Sequence, residues 1–250
     1  MIEKNLRSVS DTKKSYDSHA SRYDAVRFGT VGGKYVYDLE RRFAAGFVKG
    51  PRILEVGTAT GRFATLFSMN GFEYIGVDIS NRMLRITSEK VKSLGGDLQT
   101  VQMDAGRLGF NQYFDDVVCI RTFHFLPDPL NALQGMQNAL VTEGKCLVSF
   151  ESDNLVRRMA IVFKIGSANQ RYYRTRDVEA LFLKAGFKVA RSGSVMRIPV
   201  TLYRRCPKLL LGLLRGFERL WPWPMHEFVL GVKPRTLVHG LDLRPIPDLS

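Results

Sequence analysis

Hydrophobic and polar positions between residues 52 and 151 follow two alternating spacings. Short runs rich in β-branched residues, which predict buried strands, occur at 52–56, 73–78, 98–103, 114–120 and 144–151. Between them, apolar residues recur every three or four positions, as on the buried face of a helix, most clearly over 81–94 and 129–140. This alternation of strands and helices predicts a mostly parallel sheet covered by helices on both faces.

The same alternation resumes near the end of the chain. Residues 175–193 predict a helix and a strand, with Thr175 as the N-cap of the helix and Gly186 as its stop. The segment HEFVLGVKP, at 226–234, predicts the last strand. We therefore expect an α/β fold with a Rossmann-like, seven-stranded, mostly parallel sheet, an N-terminal helical extension and a helical insertion before the last strand.

A loop of small residues follows the first strand, which ends at Val56. Ligands of open parallel sheets bind beyond the carboxyl ends of strands, and a helix N-terminus offers free amides to anionic groups. The loop is neither a dinucleotide fingerprint, because Arg62 stands where its third glycine would fall, nor a phosphate-binding P-loop. The remaining pattern in the loop is Glu-x-Gly-x-Ala-x-Gly. Asp78 ends the next strand, where its carboxylate can accept hydrogen bonds from both hydroxyls of an adenosine ribose. A plain turn with a solvated aspartate is the alternative.

Further polar residues follow the third and fourth strands, namely Asp104-Ala105 and Arg121-Thr122-Phe123-His124. With the glycine loop, they resemble the class I S-adenosylmethionine-dependent methyltransferases over about residues 16–233. The segments FDDVVCIRTFHFLPDP and RDVEALFLKAGFKV are similar to that family's fourth-strand motif and to its late helix and sixth strand. Ala59 departs from the more usual glycine. The resemblance implies methyl transfer to a small molecule with S-adenosylmethionine as cofactor.

The resemblance also implies a role for each motif. In that family the first loop holds the methionine part of the cofactor, the acid after the second strand holds ribose, and the acid after the third meets adenine. The N-terminal YDSHASRYDAVR resembles the lid helix of the ubiquinone/menaquinone C-methyltransferase-like branch, whose tyrosines and following arginine close over the cofactor. A surface helix that packs its aromatic rings on the core is the alternative. The predicted cofactor-binding residues are Tyr16, Tyr23, Arg27, Glu55, Gly57, Thr58, Ala59, Gly61, Asp78, Ile79, Met83, Asp104, Ala105 and Arg121.

Methyl transfer from a sulfonium needs mainly alignment and exclusion of water, and a base only when the acceptor must lose a proton. His124 is the best candidate for that base because it follows the fourth strand and titrates near neutrality. A hydrogen-bonded packing histidine is the alternative, and Glu151 and His19 are weaker candidates. We predict no metal site, since the three cysteines are scattered and no catechol-type set of two aspartates and an asparagine is visible.

The charge balance is strongly basic: 37 Lys and Arg against 24 Asp and Glu give +13. Such a surplus fits nucleic acid, acidic lipid or an anionic small molecule as partner. Base-amino methyltransferases of this fold carry Asn/Asp-Pro-Pro-Tyr/Phe after the fourth strand, whereas this chain has Arg121-Thr122-Phe123-His124 there. An RNA or DNA methyltransferase is therefore the disfavoured alternative, and a non-catalytic S-adenosylmethionine-binding regulatory domain is a third.

The insertion at 197–225 combines an apolar stripe with basic residues. The stripe contains Leu210, Leu213, Leu214, Phe217, Leu220 and Trp221, and the basic residues are Arg204, Arg205, Lys208, Arg215 and Arg219. Such a helix can lie on an anionic membrane through residues 203–223, cap a hydrophobic substrate pocket, or pack on its own domain.

Length and composition indicate one large domain, because 250 residues with 45% hydrophobic and 24% charged residues are ordinary for a globular protein. We predict a single methyltransferase domain over 1–250, divided into an N-terminal helical lid (1–45), a cofactor-binding core (46–196), the amphipathic insertion (197–225), and the last strand and tail (226–250). The N-terminal residues lack the apolar stretch of a signal peptide, and no long apolar run appears. We expect a cytoplasmic protein, with peripheral membrane association as the alternative.

Overall fold

The computed structural model describes residues 8–163, 170–218 and 220–235. Parts of the predicted lid (1–7), the insertion (Arg219) and the tail (236–250) lie outside these residues. The strands are β1 Arg52–Val56, β2 Glu73–Asp78, β3 Gln99–Gln102, β4 Phe114–Cys119, β5 Leu140–Glu151, β6 Lys188–Met196 and β7 His226–Val232. The helices are α1 Val9–His19, α2 Tyr23–Phe28, α3 Val31–Phe47, α4 Arg62–Ser68, α5 Asn81–Ser93, α6 Pro129–Ala139, α7 Leu155–Val162, α8 Thr175–Lys184, α9 Val200–Arg205 and α10 Leu211–Glu218.

The seven strands form one sheet in the order β3-β2-β1-β4-β5-β7-β6. Strands β1 to β5 pair in parallel, whereas β7 pairs antiparallel with both β5 and β6. Strands β1 to β3 are added toward one edge of the sheet, and β4 and β5 are added toward the other, so the strand order reverses between β1 and β4. Ligands of open parallel sheets bind at this point of reversal. The predicted Rossmann-like, mostly parallel sheet of seven strands is confirmed.

Helices cover the sheet on both faces because successive side chains of a strand point to opposite sides. In β1, Leu54 and Val56 join the core cluster that also contains residues of α6 and α8. Ile53, which precedes Leu54 and points to the opposite face, joins the cluster that also contains residues of α3, α4 and α5. A strand buried on both faces carries no polar alternation, which explains the near-continuous apolar runs seen in the sequence.

The N-terminal segment differs from the single lid helix that the sequence predicts. Helices α1 and α2 are separated by a short 3₁₀ turn over Ala20–Arg22, so Tyr16 and Tyr23 belong to different helices. Their rings nevertheless lie 6.3 Å apart between centroids. The two tyrosines meet through the turn rather than through a shared helical face.

Helix α8 begins one residue earlier than predicted. Arg174 occupies its N-cap position, and the hydroxyl of Thr175 donates to Glu227 Oε1 of β7 at 2.6 Å, so the prediction of Thr175 as N-cap is wrong. The prediction for the other end is confirmed: the helix stops at Lys184, and Gly186 takes a left-handed φ of +87°.

The insertion folds as two short helices instead of one amphipathic helix. Helix α9 and α10 are joined by a 3₁₀ turn over Lys208–Leu210. Leu214 and Trp221 pack against a third cluster, which contains Val36 of α3 and Tyr203 of α9. The insertion thus has an inner side that packs on α3 and an outer side that keeps several leucines exposed.

Candidate active site

The loop between β1 and α4 has a left-handed backbone at three positions. The φ angles are +83° at Gly57, +47° at Ala59 and +79° at Gly61. A Cβ atom on Gly57 would overlap the side chain of Thr122, so glycine is required there for space as well as for φ. Ala59 adopts the strained conformation with a side chain, and its amide donates to Asp78 Oδ2 at 2.9 Å. The loop is therefore held in one shape against the end of β2.

Twelve of the fourteen predicted cofactor residues line a single cleft at the carboxyl ends of β1 to β4. The cleft contains about 1110 Å³ of space, including its part open to solvent. The twelve are Tyr16, Tyr23, Arg27, Glu55, Gly57, Thr58, Ala59, Asp78, Ile79, Asp104, Ala105 and Arg121.

Gly61 and Met83 do not line the cleft. Gly61 lies against α5, where an added Cβ would come within 2.7 Å of Thr87 Cγ2. Met83 is fully buried on the face of α5 that turns toward the sheet, together with Leu84. Gly61 thus ends the loop against α5, and Met83 belongs to the buried core. Neither residue is placed to contact a ligand in the cleft.

Two carboxylates stand at the edge of the cleft where ribose and adenine are predicted. Asp78 accepts from the amides of Ala59 and Ser80, each at 2.9 Å, and burial raises the pKa of its carboxyl. Each carboxylate oxygen has two lone pairs, so both keep an acceptor position for a ligand hydroxyl. Asp104 Oδ1 accepts from the amide of Gly106 at 2.9 Å. The chemistry of these donors and acceptors fits an adenosine group.

Glu55 both lines the cleft and supports the loop. Its Oε2 accepts from the hydroxyl of Thr58 at 2.7 Å and from the hydroxyl of Tyr74. Burial raises the pKa of Glu55 to about 7, although both hydrogen bonds oppose that shift. The carboxyl of Glu55 therefore stabilises the loop through its hydrogen bond with Thr58, while burial makes the ionised form of that carboxyl unfavourable.

The two N-terminal helices cover the cleft and are tied to it by hydrogen bonds. Ser80 Oγ donates to Asp17 at the end of α1 at 2.6 Å. Asp24 of α2 accepts from Thr60 Oγ1 at 2.5 Å and from Lys90 Nζ at 2.7 Å.

Ring contacts add to these hydrogen bonds. The Tyr16 ring lies 6.1 Å from the Phe125 ring, and the Arg27 guanidinium lies 4.7 Å from the Tyr23 ring centre. These contacts close one side of the cleft to water.

Arg121 belongs to a buried ion-pair network that sequence reasoning missed. Its guanidinium donates to Glu40 Oε1 at 3.1 Å and to Glu151 Oε1 at 3.0 Å, while Arg62 pairs with Glu40 and Arg157 pairs with Glu151. Burial alone would raise the pKa of Glu40, but Arg62 and Arg121 outweigh it and hold that pKa at about 2. Arg121 also has a positive φ of +58°, an unusual backbone conformation for a residue with a side chain, in the turn that follows β4.

A local signal for Glu40 did exist in the sequence. Val36, Glu40 and Ala44 are spaced four apart on the buried face of α3, and an acid on such a face requires a buried partner. The sequence could show that a partner was needed but could not identify Arg62 and Arg121. The cleft lining also contains Phe28, Phe125 and Arg204, which were not among the predicted residues.

His124 does not reach the cleft. It lies in the middle of the 3₁₀ turn Phe123–Phe125 with its side chain turned inward, and it is 2% exposed, while the neighbouring Phe125 faces the cleft. Burial and the nearby Arg121 lower the pKa of His124 well below its usual value. The structure thus argues against His124 as a base that touches the substrate.

The two weaker candidates for the base are also held elsewhere. Glu151 is buried between Arg121 and Arg157, which hold its pKa below the usual value against the effect of burial. His19 is exposed at the end of α1, with Nδ1 2.7 Å from the carbonyl oxygen of Ser15. Neither side chain lines the cleft.

Comparison with known proteins agrees with this geometry. Residues 54–148 match the family described as "Methyltransferase domain". The chain is similar to the ubiquinone/menaquinone biosynthesis C-methyltransferase UbiE of Edwardsiella ictaluri, with 34% identity over 48% of this chain and 56% of that protein. It is equally similar, at 34%, to the phosphatidylethanolamine N-methyltransferase of Cereibacter sphaeroides, over 46% of this chain and 59% of that protein. The chain thus spans little more than half the length of the curated relatives that it matches.

The fold extends further than the sequence similarity. The magnesium protoporphyrin IX methyltransferase of Synechocystis PCC 6803, solved with bound S-adenosylmethionine, superposes with a TM-score of 0.63. The alignment covers 93% of this chain and all of that one at 14% identity, which establishes a common fold. Taken with the family matched over residues 54–148 and the lined cleft, these similarities confirm the resemblance to the class I S-adenosylmethionine-dependent methyltransferases that was drawn from the motifs.

Proposed function

We propose that this protein transfers a methyl group from S-adenosylmethionine to a small-molecule acceptor that is apolar or lipid-linked. The observation that carries the proposal is the cleft at the carboxyl ends of β1 to β4, lined by both predicted acids and by the glycine loop. The curated relatives are, by their names, a C-methyltransferase of ubiquinone/menaquinone biosynthesis and an N-methyltransferase of phosphatidylethanolamine, which supports an apolar acceptor. The whole chain, 1–250, is proposed to work as one domain with the four segments predicted from the sequence.

Each part of the cleft has a distinct proposed task. Asp78 would accept hydrogen bonds from the ribose hydroxyls, and Asp104 with Ala105 would hold the adenine. The loop from Glu55 to Ala59 and Arg27 would hold the methionine part. When bound, S-adenosylmethionine supplies the methyl group together with a good leaving group. The protein's contribution is therefore to bind, to align and to exclude water, the last through Tyr16, Tyr23 and Phe125.

We expect methyl transfer to a lipid-soluble acceptor. The purified protein, incubated with methyl-labelled S-adenosylmethionine and a bacterial lipid extract, should move label into the organic phase, whereas a water-soluble metabolite extract or RNA should take up little. The Asp78→Ala variant serves as the control for transfer at this cleft. Cofactor binding without transfer to any of the extracts would instead favour a non-catalytic regulatory domain, and label in RNA would favour the nucleic-acid alternative.

We also propose that the outer side of the insertion contacts an anionic membrane. Leu213 is 72% exposed on α10, and Leu209, Leu220 and other apolar side chains are exposed near it in sequence. Exposed Arg205 and Lys208 lie in the same segment and add charge complementary to acidic lipid. Among the described residues, no helix has the length and apolar character needed to cross a membrane. A peripheral contact would give a cytoplasmic protein direct access to a lipid-linked acceptor.

Flotation with vesicles tests this contact. The wild type should float with vesicles that contain phosphatidylglycerol but not with pure phosphatidylcholine. Leu213→Glu should lower the vesicle-binding constant about 30-fold, because a buried leucine contributes roughly 2 kcal/mol. Leu183→Glu is the matched control, since Leu183 is 62% exposed on α8. A wild type that stays with the soluble fraction in both cases, or equal losses in the two variants, would contradict the contact.

A further inference from the structure

The insertion places one arginine, Arg204 of α9, in the lining of the cleft. Helix α9 packs tightly on α3: a Cβ atom on Gly32 would overlap the carbonyl oxygen of Tyr203. The Tyr203 ring lies 5.2 Å from the Tyr35 ring, and its hydroxyl donates to Glu218 Oε2 of α10 at 2.6 Å. The backbone that carries Arg204 is thereby fixed against the lid side of the cleft.

The charge of Arg204 is not neutralised by a carboxylate, in contrast to the charges of Arg62 and Arg121. Arg62 and Arg121 both pair with Glu40. Within residues 8–163, 170–218 and 220–235, the side chain of Arg204 makes no hydrogen bond or ion pair, and its Nε is buried without a partner. Leaving a buried donor unmet is unfavourable, so a site of this kind favours an anionic ligand.

Arg204 remains positively charged at neutral pH. Burial lowers its pKa to about 10, and the nearby Arg27 and Arg121 contribute to that decrease. Arg204 lines the same cleft as Arg27, Arg121 and Glu40.

S-adenosylmethionine has one carboxylate, which can pair with only one of the two unpaired arginines of the cleft, Arg27 and Arg204. Arg27, like Arg204, has no carboxylate partner in the described part of the chain, and Arg27 is the residue proposed for the methionine end of the cofactor. The same region of the cleft is lined by Phe28 and Val36, which offer apolar surface beside the two charges. One cation is therefore left for a second anion that carries an apolar part.

We propose that Arg204 binds an anionic group of the methyl acceptor, a carboxylate or a phosphate ester, and that the acceptor is consequently an anionic amphiphile. This inference rests on the proposed function and specifies its substrate class. It gives the insertion two roles, since its inner side selects the acceptor while its outer side meets the membrane from which an amphiphile would come.

Calorimetry on protein saturated with S-adenosylhomocysteine tests this assignment. Decanoate and decyl phosphate are the anionic probes, and decanol is the uncharged probe of the same chain length. We expect the wild type to bind both anions more tightly than decanol. Arg204→Gln should weaken anion binding about tenfold and leave decanol binding unchanged, because only the charge-assisted hydrogen bonds are lost. Arg204→Lys should restore part of the affinity.

Arg176→Gln is the matched control, because Arg176 lies on α8 with a side chain 72% exposed. Equal binding of decanoate and decanol by the wild type, or no binding of either anion, would overturn the inference. An Arg204→Gln variant that loses affinity for S-adenosylhomocysteine itself would assign Arg204 to the cofactor carboxylate and overturn it as well. A wild type that fails to bind S-adenosylhomocysteine would contradict the proposed function instead, and the probes would then be compared on the unliganded protein.

Discussion

Replacing Asp78 by alanine should weaken the binding of S-adenosylhomocysteine about 100-fold. The carboxylate is proposed to accept two hydrogen bonds from ribose, and a charge-assisted bond contributes roughly 1.5–3 kcal/mol, so their loss corresponds to two orders of magnitude or more. Isothermal titration calorimetry measures this directly. The prediction has the largest expected effect on the cofactor because Asp78 stands at the point where the loop after β1 meets the end of β2.

Two controls separate a lost ligand contact from a damaged loop. Asp78 also accepts from the amides of Ala59 and Ser80, one at each oxygen, and Asp78→Asn keeps one of these two acceptors, so it should lose less affinity than Asp78→Ala, about tenfold. Asp97→Ala removes an exposed acid from the loop before β3 and should bind as the wild type does. Equal affinity in the wild type and in Asp78→Ala would show that the carboxylate does not hold the ribose.

Replacing Glu40 by glutamine should lower the free energy of unfolding by about 3–5 kcal/mol. The side chain of Glu40 is fully buried between Arg62 and Arg121, and removing one partner of a buried ion pair leaves uncompensated charge in the interior. For a chain of this length, such a loss corresponds to a fall in melting temperature of roughly 10 °C. Thermal or urea unfolding measures it.

The same carboxylate predicts how stability depends on pH. Because the pKa of Glu40 is about 2 in the folded protein and 4.5 in its ordinary state, its ionised form adds stability above pH 4.5, and that stability is lost as the pH falls toward 2. Glu40→Gln should therefore be less sensitive to pH in this range than the wild type. Asp38→Asn, on the exposed face of the same helix, is the matched control. A Glu40→Gln protein as stable as the wild type at pH 7 would contradict the role of the network.

Local spacing was enough to predict the sheet, and together with the family resemblance it predicted twelve of the residues that line the cleft. The glycine loop, Asp78, Asp104 and Arg121 each follow a strand, and the carboxyl ends of parallel strands lie at one edge of the sheet. Placing them together therefore needed only the order of strands and helices along the chain. Ile79 and Ala105 lie next to those acids in the chain and line the cleft with them.

Spacing could not predict the direction of side chains in the turns. His124 and Phe125 are neighbours after β4, but the 3₁₀ turn buries the histidine and presents the phenylalanine to the cleft. Met83 has the spacing of a residue near the loop, yet the packing of α5 on the sheet turns it into the core. A short turn decides which side chain faces the cleft in the first case, and the packing of a helix decides it in the second.

What the sequence by itself determined is the α/β sheet of seven strands, the glycine loop and the acids at the strand ends, because these depend on residues close together in the chain. What only the tertiary structure decided is the pairing of distant charges. Glu40 meets Arg62 across 22 positions and Arg121 across 81, and no periodicity records such pairs. By the same long-range packing Arg204 comes to the cleft without a partner, which turns the basic surplus of the chain into a specific expectation about its acceptor.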